Sequence, residues 1–341
     1  MDSENKFPSS AKKRKSPYTT QENVQSKKSR FEDGQIKPGD SNLRVLHRKM
    51  INIDLSSCWL NSCLQAILAA LDRSVAQNGY DIFVGWNSKL GGLLLDYQNI
   101  DVQNSIETIE SRGILVEALI RNEKFHLNLA SGQQDCRDFF NAIAECKDDF
   151  RDVYSFFSYS YVQTIQCLNC QKTGEPNFQE ELYRLINCPP SDSNLKDAIT
   201  KSFTLYPQDY TCENKKCLSK RAVCRSQIHD ISTTEFFIVV IDRAVYDSNN
   251  QPQIIPDKFK AIDAVELEDV NGLRASYEPI AVIQHKGRFN AEGESSGHYI
   301  ADIKNHNLGQ WFRTSDNEIP VPISPEQVSQ MGYIILLARS F

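Results

Sequence analysis

The sequence predicts an α+β fold built on an antiparallel sheet. Helical periodicity is concentrated in the first half of the ordered chain, and period-two apolar patterning dominates the second. Helices are expected over 58–72, 112–122, 134–147 and 195–202. Strands are expected over 161–166, 182–187, 223–229, 236–241, 278–284, 299–303, 310–314 and 333–339. The size agrees: 341 residues, 40% hydrophobic and 24% charged, suit one large globular domain or two smaller ones with a substantial core.

The first 43 residues stand apart. They are rich in Ser, Lys, Asn, Gln and Pro and show no apolar periodicity, so they read as a disordered tail ahead of a folded domain spanning 44–341. Residues 1–50 hold 12 Lys and Arg against 6 Asp and Glu, a net of +6; the whole chain is −6, so residues 51–341 carry −12. Two basic clusters, Lys12 to Lys15 and Lys27 to Arg30, have the form of a bipartite nuclear-import signal, and a solvated tail that touches anions weakly is the plainer alternative. Nucleus, cytoplasm or both are the expected locations. The acidic remainder argues against nucleic acid as the partner of the folded part. No apolar run approaches membrane-spanning length, FFIVVI at 236–241 being typical of the longest, and no membrane partner is expected. A monomer is expected.

The first helix begins in SSCWLNSCLQAILAAL, residues 56–71. Trp59, Leu60, Cys63, Leu64, Ile67, Leu68 and Leu71 recur at three- and four-residue spacing, the mark of one apolar helix face. Ser56 and Ser57 are good N-caps, so the helix should start at about Cys58. A thiol in the first turn meets free backbone N–H groups and the positive end of the helix dipole, which favour the thiolate. Cys63, one turn later on the apolar face, is expected to be an inert packing residue. Cys58 is the candidate nucleophile.

The strands that follow bracket four more cysteines. Cys167 and Cys170 form a C-x2-C knuckle after a strand, and Cys212 and Cys217 a C-x4-C pair 42 residues further on. Two such pairs among polar residues suit a closed, structural four-thiolate zinc site clipping two long excursions together. Cys224 is a reserve ligand, and Cys136, Cys146 and Cys188 are expected in packing.

A thiol nucleophile needs a base. The sequence 295–319 reads as a hairpin, with YIADI (299–303) and QWFRT (310–314) as strands and NHNLG (305–309) as the turn. Centred near 307, it sets His298 at the open end opposite a residue near 316, facing Ser315 and Asp316. A carboxylate there would orient the imidazole and stabilise its charged form. Gly297 is read as backbone freedom for a sharp entry.

A capped cysteine, then a four-cysteine ribbon, then Gly-His-Tyr before a tryptophan strand and an acidic turn resembles the ubiquitin-specific protease family, over roughly residues 50–340. Cys58, Asn61, Ser62, Leu64 and Gln65 match its first box. Gln134, Asp135 and Phe139 match its Gln-Gln-Asp helix start, with Asp138 in place of Glu. VIQHKG (282–287), SGHYIADIK and YIILLAR match its second box. The resemblance implies a papain-like thumb–palm–fingers fold whose zinc-ribbon fingers span about 160–230. It implies His298 as general base, Gly287 to Ser296 as a mobile loop beside the substrate channel, and ubiquitin or a ubiquitin-like modifier with its conjugates as partner. The implied reaction is hydrolysis of the isopeptide bond after the modifier's C-terminal glycine.

Three positions depart from the family pattern. Ile53 stands where the family has its oxyanion Asn, with Asn52 one residue away as the substitute candidate. The third triad position falls on Ser315 with Asp316 next to it; charge favours Asp316. Trp59 follows the nucleophile in place of Tyr, as in a SUMO-directed branch. A SUMO-type isopeptidase and a catalytically dead modifier-binding module are the alternatives, and a zinc-ribbon nucleic-acid protein is a third that leaves Cys58 and His298 unexplained.

Overall fold

The computed structural model describes residues 58–86, 88, 90–92, 94–95, 135–187, 194–205, 210–246, 252–254, 262–289, 295–316, 318, 320–328 and 331–340. The basic tail, Asn52, Ile53, Ser56, Ser57, Gln134, Cys188 and the helix expected at 112–122 lie outside these residues.

Helix α1 spans Cys58–Asn78, starting where the capping argument set it and running past the expected end at 72. It is no amphipathic surface helix: 16 of its 21 residues are buried, on every side. A helix that is apolar nearly all round belongs in the middle of a core, and α1 lies against β10 (Arg274–Phe289) and β11 (Ser295–Asn305) and packs on α2 (Cys136–Glu145). Its far half is held by ions. Arg73 donates to Glu278 over 2.8 Å and to the Arg339 carbonyl over 2.8 Å, and Lys304 also donates to Glu278.

Helix α2 is capped by Asp135, whose side chain accepts from the Arg137 N–H, and a short α3 follows at Arg151–Phe157. The remaining elements are β1 (Tyr159–Cys167), β2 (Asn177–Glu181), β3 (Arg184–Asn187), α4 (Leu195–Ser202), β4 (Thr204–Leu205), β5 (Ala222–Ile228) and β6 (Phe236–Asp242). Then come β7 (Ala244–Tyr246), β8 (Pro252–Ile254), β9 (Val265–Glu268), the long β10 and β11, β12 (Gln310–Thr314), β13 (Val321–Ile323) and β14 (Gly332–Arg339).

Two sheets carry the architecture. A four-stranded sheet runs β2-β1-β5-β4, and a larger one runs β13-β12-β11-β10-β14-β6-β3 with β9 added beside β10. Strand pairing is antiparallel, as expected, with the single exception of β3 with β6, which run parallel. The parallel pair follows from connectivity: everything from α4 to β5 lies between β3 and β6, a crossover long enough to return the chain in the same direction. Residues 236–241 are buried on both faces, which explains their unbroken apolar run. Phe236, Ile238 and Val240 join the core around α1, while Phe237, Val239 and Ile241 join a second core with α4 and β9.

The hairpin of β10 and β11 is longer than expected. Gly287 pairs with Gly297, Arg288 with Ser296 and Phe289 with Ser295, so both ends of the loop expected at Gly287 to Ser296 are ladder instead. Gly297 has a different reason from the one expected. A Cβ there would lie 2.7 Å from His285 Cε1 and 2.7 Å from the Lys286 carbonyl oxygen, closer still to His285 Nε2; only a glycine fits under that ring.

Candidate active site

Three elements build the site. Cys58 is the first residue of α1 and is 1% exposed. Its sulfur accepts a hydrogen bond from the Tyr299 N–H at 3.5 Å, so β11 delivers a main-chain donor to the thiol from the residue next to His298. Such a donor, together with the helix start, stabilises a thiolate.

His298, its side chain 40% exposed, is backed by the chain leaving β12. The ladder pairs Ala301 with Thr314 and ends there, one residue out of the expected register, and Ser315 and Asp316 turn away behind the imidazole. His298 Nε2 lies 2.8 Å from Ser315 Oγ and 3.9 Å from Asp316 Oδ2. Asp316 does not make the short contact because its other oxygen accepts from the Asn61 amide at 2.6 Å and its backbone is left-handed, with φ 43°. Asn61 stands one turn after Cys58 on α1, so the nucleophile's helix and the loop behind the histidine are tied directly.

The other thiols near α1 are packed away. Cys63 donates to the Cys136 carbonyl at 3.7 Å and Cys136 to the Trp59 carbonyl at 3.3 Å. Burial, and then the neighbouring Cys63, push the Cys136 thiol well up, so it stays protonated. Asp135, beyond capping α2, accepts from the Tyr333 hydroxyl at 2.6 Å. Burial and that carboxylate hold the Tyr333 hydroxyl protonated as a donor. Asn61, Asp135, Tyr299 and Tyr333 all fall within matched sequence boxes, but the contact of the Tyr299 N–H with Cys58 and that of the Tyr333 hydroxyl with Asp135 carried no sequence signal.

One cavity among the described residues is lined by neither Cys58 nor His298. It has a volume of about 450 Å³ and sits between the end of α2, α3 and the β2–β3 bend, lined in part by Tyr154, Glu180, Tyr183, Leu185 and Leu205.

At the far end of the four-stranded sheet, Cys167, Cys170, Cys212 and Cys217 converge, their sulfur atoms all within 4.8 Å of one another. Cys167 and Cys217 are 3.8 Å apart and Cys170 and Cys212 3.6 Å. Zn–S bonds of about 2.3 Å in a tetrahedron put sulfurs about 3.8 Å apart, so the set is sized for such an ion. Backbone N–H groups of Cys170 and Asn169 hold the Cys167 thiol down to about 6, and the Asn169 amide donates to Cys217 at 3.3 Å. Four cysteines close together can hold a metal ion; Cys224 is not among them.

The ubiquitin carboxyl-terminal hydrolase family model matches residues 49–336, which includes every one of these side chains. The chain belongs to the ubiquitin carboxyl-terminal hydrolase family. Among curated members it is 30% identical over 192 residues to ubiquitin carboxyl-terminal hydrolase 15 of Arabidopsis thaliana, covering 52% of this chain and 19% of that protein. It is 27% identical over 183 residues to ubiquitin C-terminal hydrolase 15 of Oryza sativa subsp. japonica, covering 52% and 18%. The matched region is thus about a fifth of those relatives' length. Among solved structures, a chain of the SAGA Ubp8/Sgf11/Sus1/Sgf73 DUB module bound to ubiquitin aldehyde superposes with a TM-score of 0.66 at 20% identity, over 86% of this chain and 69% of that one. The same module bound to monoubiquitin, with Ubp8(C146A), gives 0.65 at 20% identity over 88% and 70%. The hydrolase fold is therefore this chain's fold, as the resemblance implied.

Proposed function

We propose that this ubiquitin carboxyl-terminal hydrolase is a thiol-dependent deubiquitinase that cleaves the isopeptide bond after the C-terminal glycine of ubiquitin on modified proteins. The observation that carries the reading is the chain of contacts from Cys58 through the Tyr299 N–H and His298 to Ser315 and Asp316. Family membership and neighbours bound to ubiquitin support the modifier.

With Nε2 turned to Ser315, His298 exchanges protons through Nδ1. It takes the Cys58 proton, and the thiolate attacks the glycine carbonyl carbon. The lysine amine leaves with the proton that His298 returns, and water then hydrolyses the thioester with His298 again as base. Ser315 orients the imidazole, and the Asp316 carboxylate stabilises it while it carries charge. The tetrahedral oxyanion is assigned to the Cys58 N–H at the helix start, with Asn52 as the candidate side-chain donor.

The four cysteines are assigned a structural zinc ion, which supplies no chemistry and locks the two knuckles of the fingers. The tail's two basic clusters support nuclear entry, which deletion of residues 1–43 from a fluorescent fusion would abolish. The functional unit is read as a monomer without a nucleic-acid or membrane partner in catalysis, and sedimentation of the purified chain checks its mass.

The test uses ubiquitin and SUMO, each carrying a C-terminal thiol-reactive group, with the adduct mapped by mass spectrometry. The expected product is a ubiquitin adduct on Cys58. A SUMO adduct alone would reassign the substrate, and an adduct on Cys63 would reassign the nucleophile. Folded, metal-loaded protein that binds ubiquitin without reacting would be a binding module.

A further inference from the structure

The four-stranded sheet ends in a patch whose charge runs against the rest of the domain. Residues 166–175 and 210–225 carry Lys172, Lys215, Lys216, Lys220, Arg221 and Arg225 against Glu175 and Glu213, and all eight side chains are exposed. The tip is net +4 in a region, 51–341, that is −12. A divalent ion on four thiolates takes two charges from that figure and still leaves the tip positive. Lys172 is engaged by Glu213 at 3.0 Å and Arg225 by the Gln166 side-chain oxygen at 3.0 Å, with Lys215, Lys216, Lys220 and Arg221 exposed beside them.

The patch is also apolar at its centre. Leu168 follows Cys167 and is 37% exposed; Leu218 follows Cys217 and is 68% exposed. The two sulfurs are 3.8 Å apart, so each knuckle presents one leucine at the same tip. Leu218 holds a left-handed φ of 49°, which a γ-branched side chain adopts only where the surrounding turn enforces it. Here Leu218 N–H donates to the Asn214 carbonyl at 3.3 Å, closing the second knuckle, while Leu168 N–H donates to the Arg221 carbonyl at 2.9 Å. A lone exposed leucine needs no explanation, but two exposed leucines, each held by a main-chain hydrogen bond on adjoining knuckles that also carry exposed cations, are a built surface.

We propose that this tip is a docking surface for a partner protein that presents an acidic polypeptide segment bearing aliphatic or aromatic side chains. The cations would steer and pair with its carboxylates, and Leu168 and Leu218 would receive its apolar side chains. Nucleic acid fits less well. Within residues 166–175 and 210–225 no aromatic ring is exposed for a base to stack on, Tyr210 being half-buried and the exposed Phe178 lying further back on β2 opposite Val162, and two leucines offer phosphates nothing. The inference does not depend on hydrolytic activity.

The experiment measures fluorescence anisotropy of three labelled probes with the full chain. They are a short peptide alternating Glu and Asp with Leu and Phe, the same peptide with Ser in place of Leu and Phe, and a short DNA duplex. The first peptide should bind most tightly. Its affinity should fall about tenfold or more in a Lys215→Glu/Lys216→Glu/Lys220→Glu variant and about fivefold in Leu218→Ser, while metal content and melting temperature stay unchanged. Equal binding of the serine peptide would reduce the surface to counterion exchange and overturn the proposal. So would tighter binding of the duplex, or charge reversal without effect on properly folded, metal-loaded protein.

Discussion

The side-chain amide of Asn61 donates to the Asp316 carboxylate over 2.6 Å, joining the helix that starts at Cys58 to the loop that backs His298. The tie fixes both partners of the reaction relative to each other, and it holds Asp316 at 3.9 Å from the imidazole while Ser315 takes the 2.8 Å position. Orientation and charge are thereby divided between two neighbouring residues.

That division predicts unequal losses. A unit charge at about 4 Å is worth about 4 kcal/mol at an effective dielectric of about 20, and less here because His298 is half exposed to solvent. A neutral hydrogen bond contributes about 1 kcal/mol. Asp316→Asn should therefore lower kcat about 100-fold and Ser315→Ala about 10-fold, with KM little changed in either. Steady-state hydrolysis of a ubiquitin C-terminal fluorogenic amide checks both, and the reverse order would make Ser315 the dominant partner.

Asn61 itself gives a second expectation. Asn61→Ala frees a left-handed Asp316 from its anchor and should cost about tenfold in kcat. Asn61→Asp should be worse, since two carboxylates at that distance repel and one must protonate or move away. Raising activity in the Asp variant by lowering pH, relative to the Ala variant, is the signature of that repulsion.

The ion cluster behind α1 predicts acid sensitivity. Burial pushes the Glu278 carboxyl up, but hydrogen bonds from Lys304 and Arg73 outweigh it and hold the group below its ordinary value. A carboxyl depressed in the folded state contributes stability that is present above its unfolded pKa, about 4.3, and is lost as pH falls through the folded value. Denaturant melts should find Glu278→Gln less stable than the parent by about 1–3 kcal/mol at pH 7. The gap should narrow below about pH 4, and a gap independent of pH would mean that packing rather than charge carries the effect.

Much of this site was legible because short-range signals coincide with it. A serine pair before an apolar repeat marks the start of α1, and α4 and β12 fall on their expected residues, 195–202 and 310–314. Cysteine spacing marks the four-sulfur cluster. What stayed hidden depends on tertiary partners. β2, NFQEE, is polar and exposed and is a strand only because β1 pairs with it. The seven-residue α3 is fastened through Phe156 and Phe157 against Phe236. The roles of Ser315 and Asp316 could not be separated from sequence, because the contact to Asn61 spans 255 residues and the left-handed turn has no glycine to announce it.

Gly297 shows how tightly the hairpin is built around the base. Its backbone passes under the His285 ring, which packs on Tyr299 at a tilt of 45° with centroids 4.6 Å apart, and an added Cβ would also press on the Lys286 carbonyl, which cannot rotate away. Gly297→Ala must therefore push β11 off β10 at the residue before His298 and two before the N–H that meets Cys58. Overpacking of this kind costs about 1–3 kcal/mol, and a shift of about 1 Å in the base costs about 100-fold in rate. The expected result is a modest fall in melting temperature with a disproportionate fall in kcat. A His285→Ala change in the same chain removes the ring but not the carbonyl contact, so it should recover stability more than activity. Full recovery of both would show that the ring alone requires the glycine.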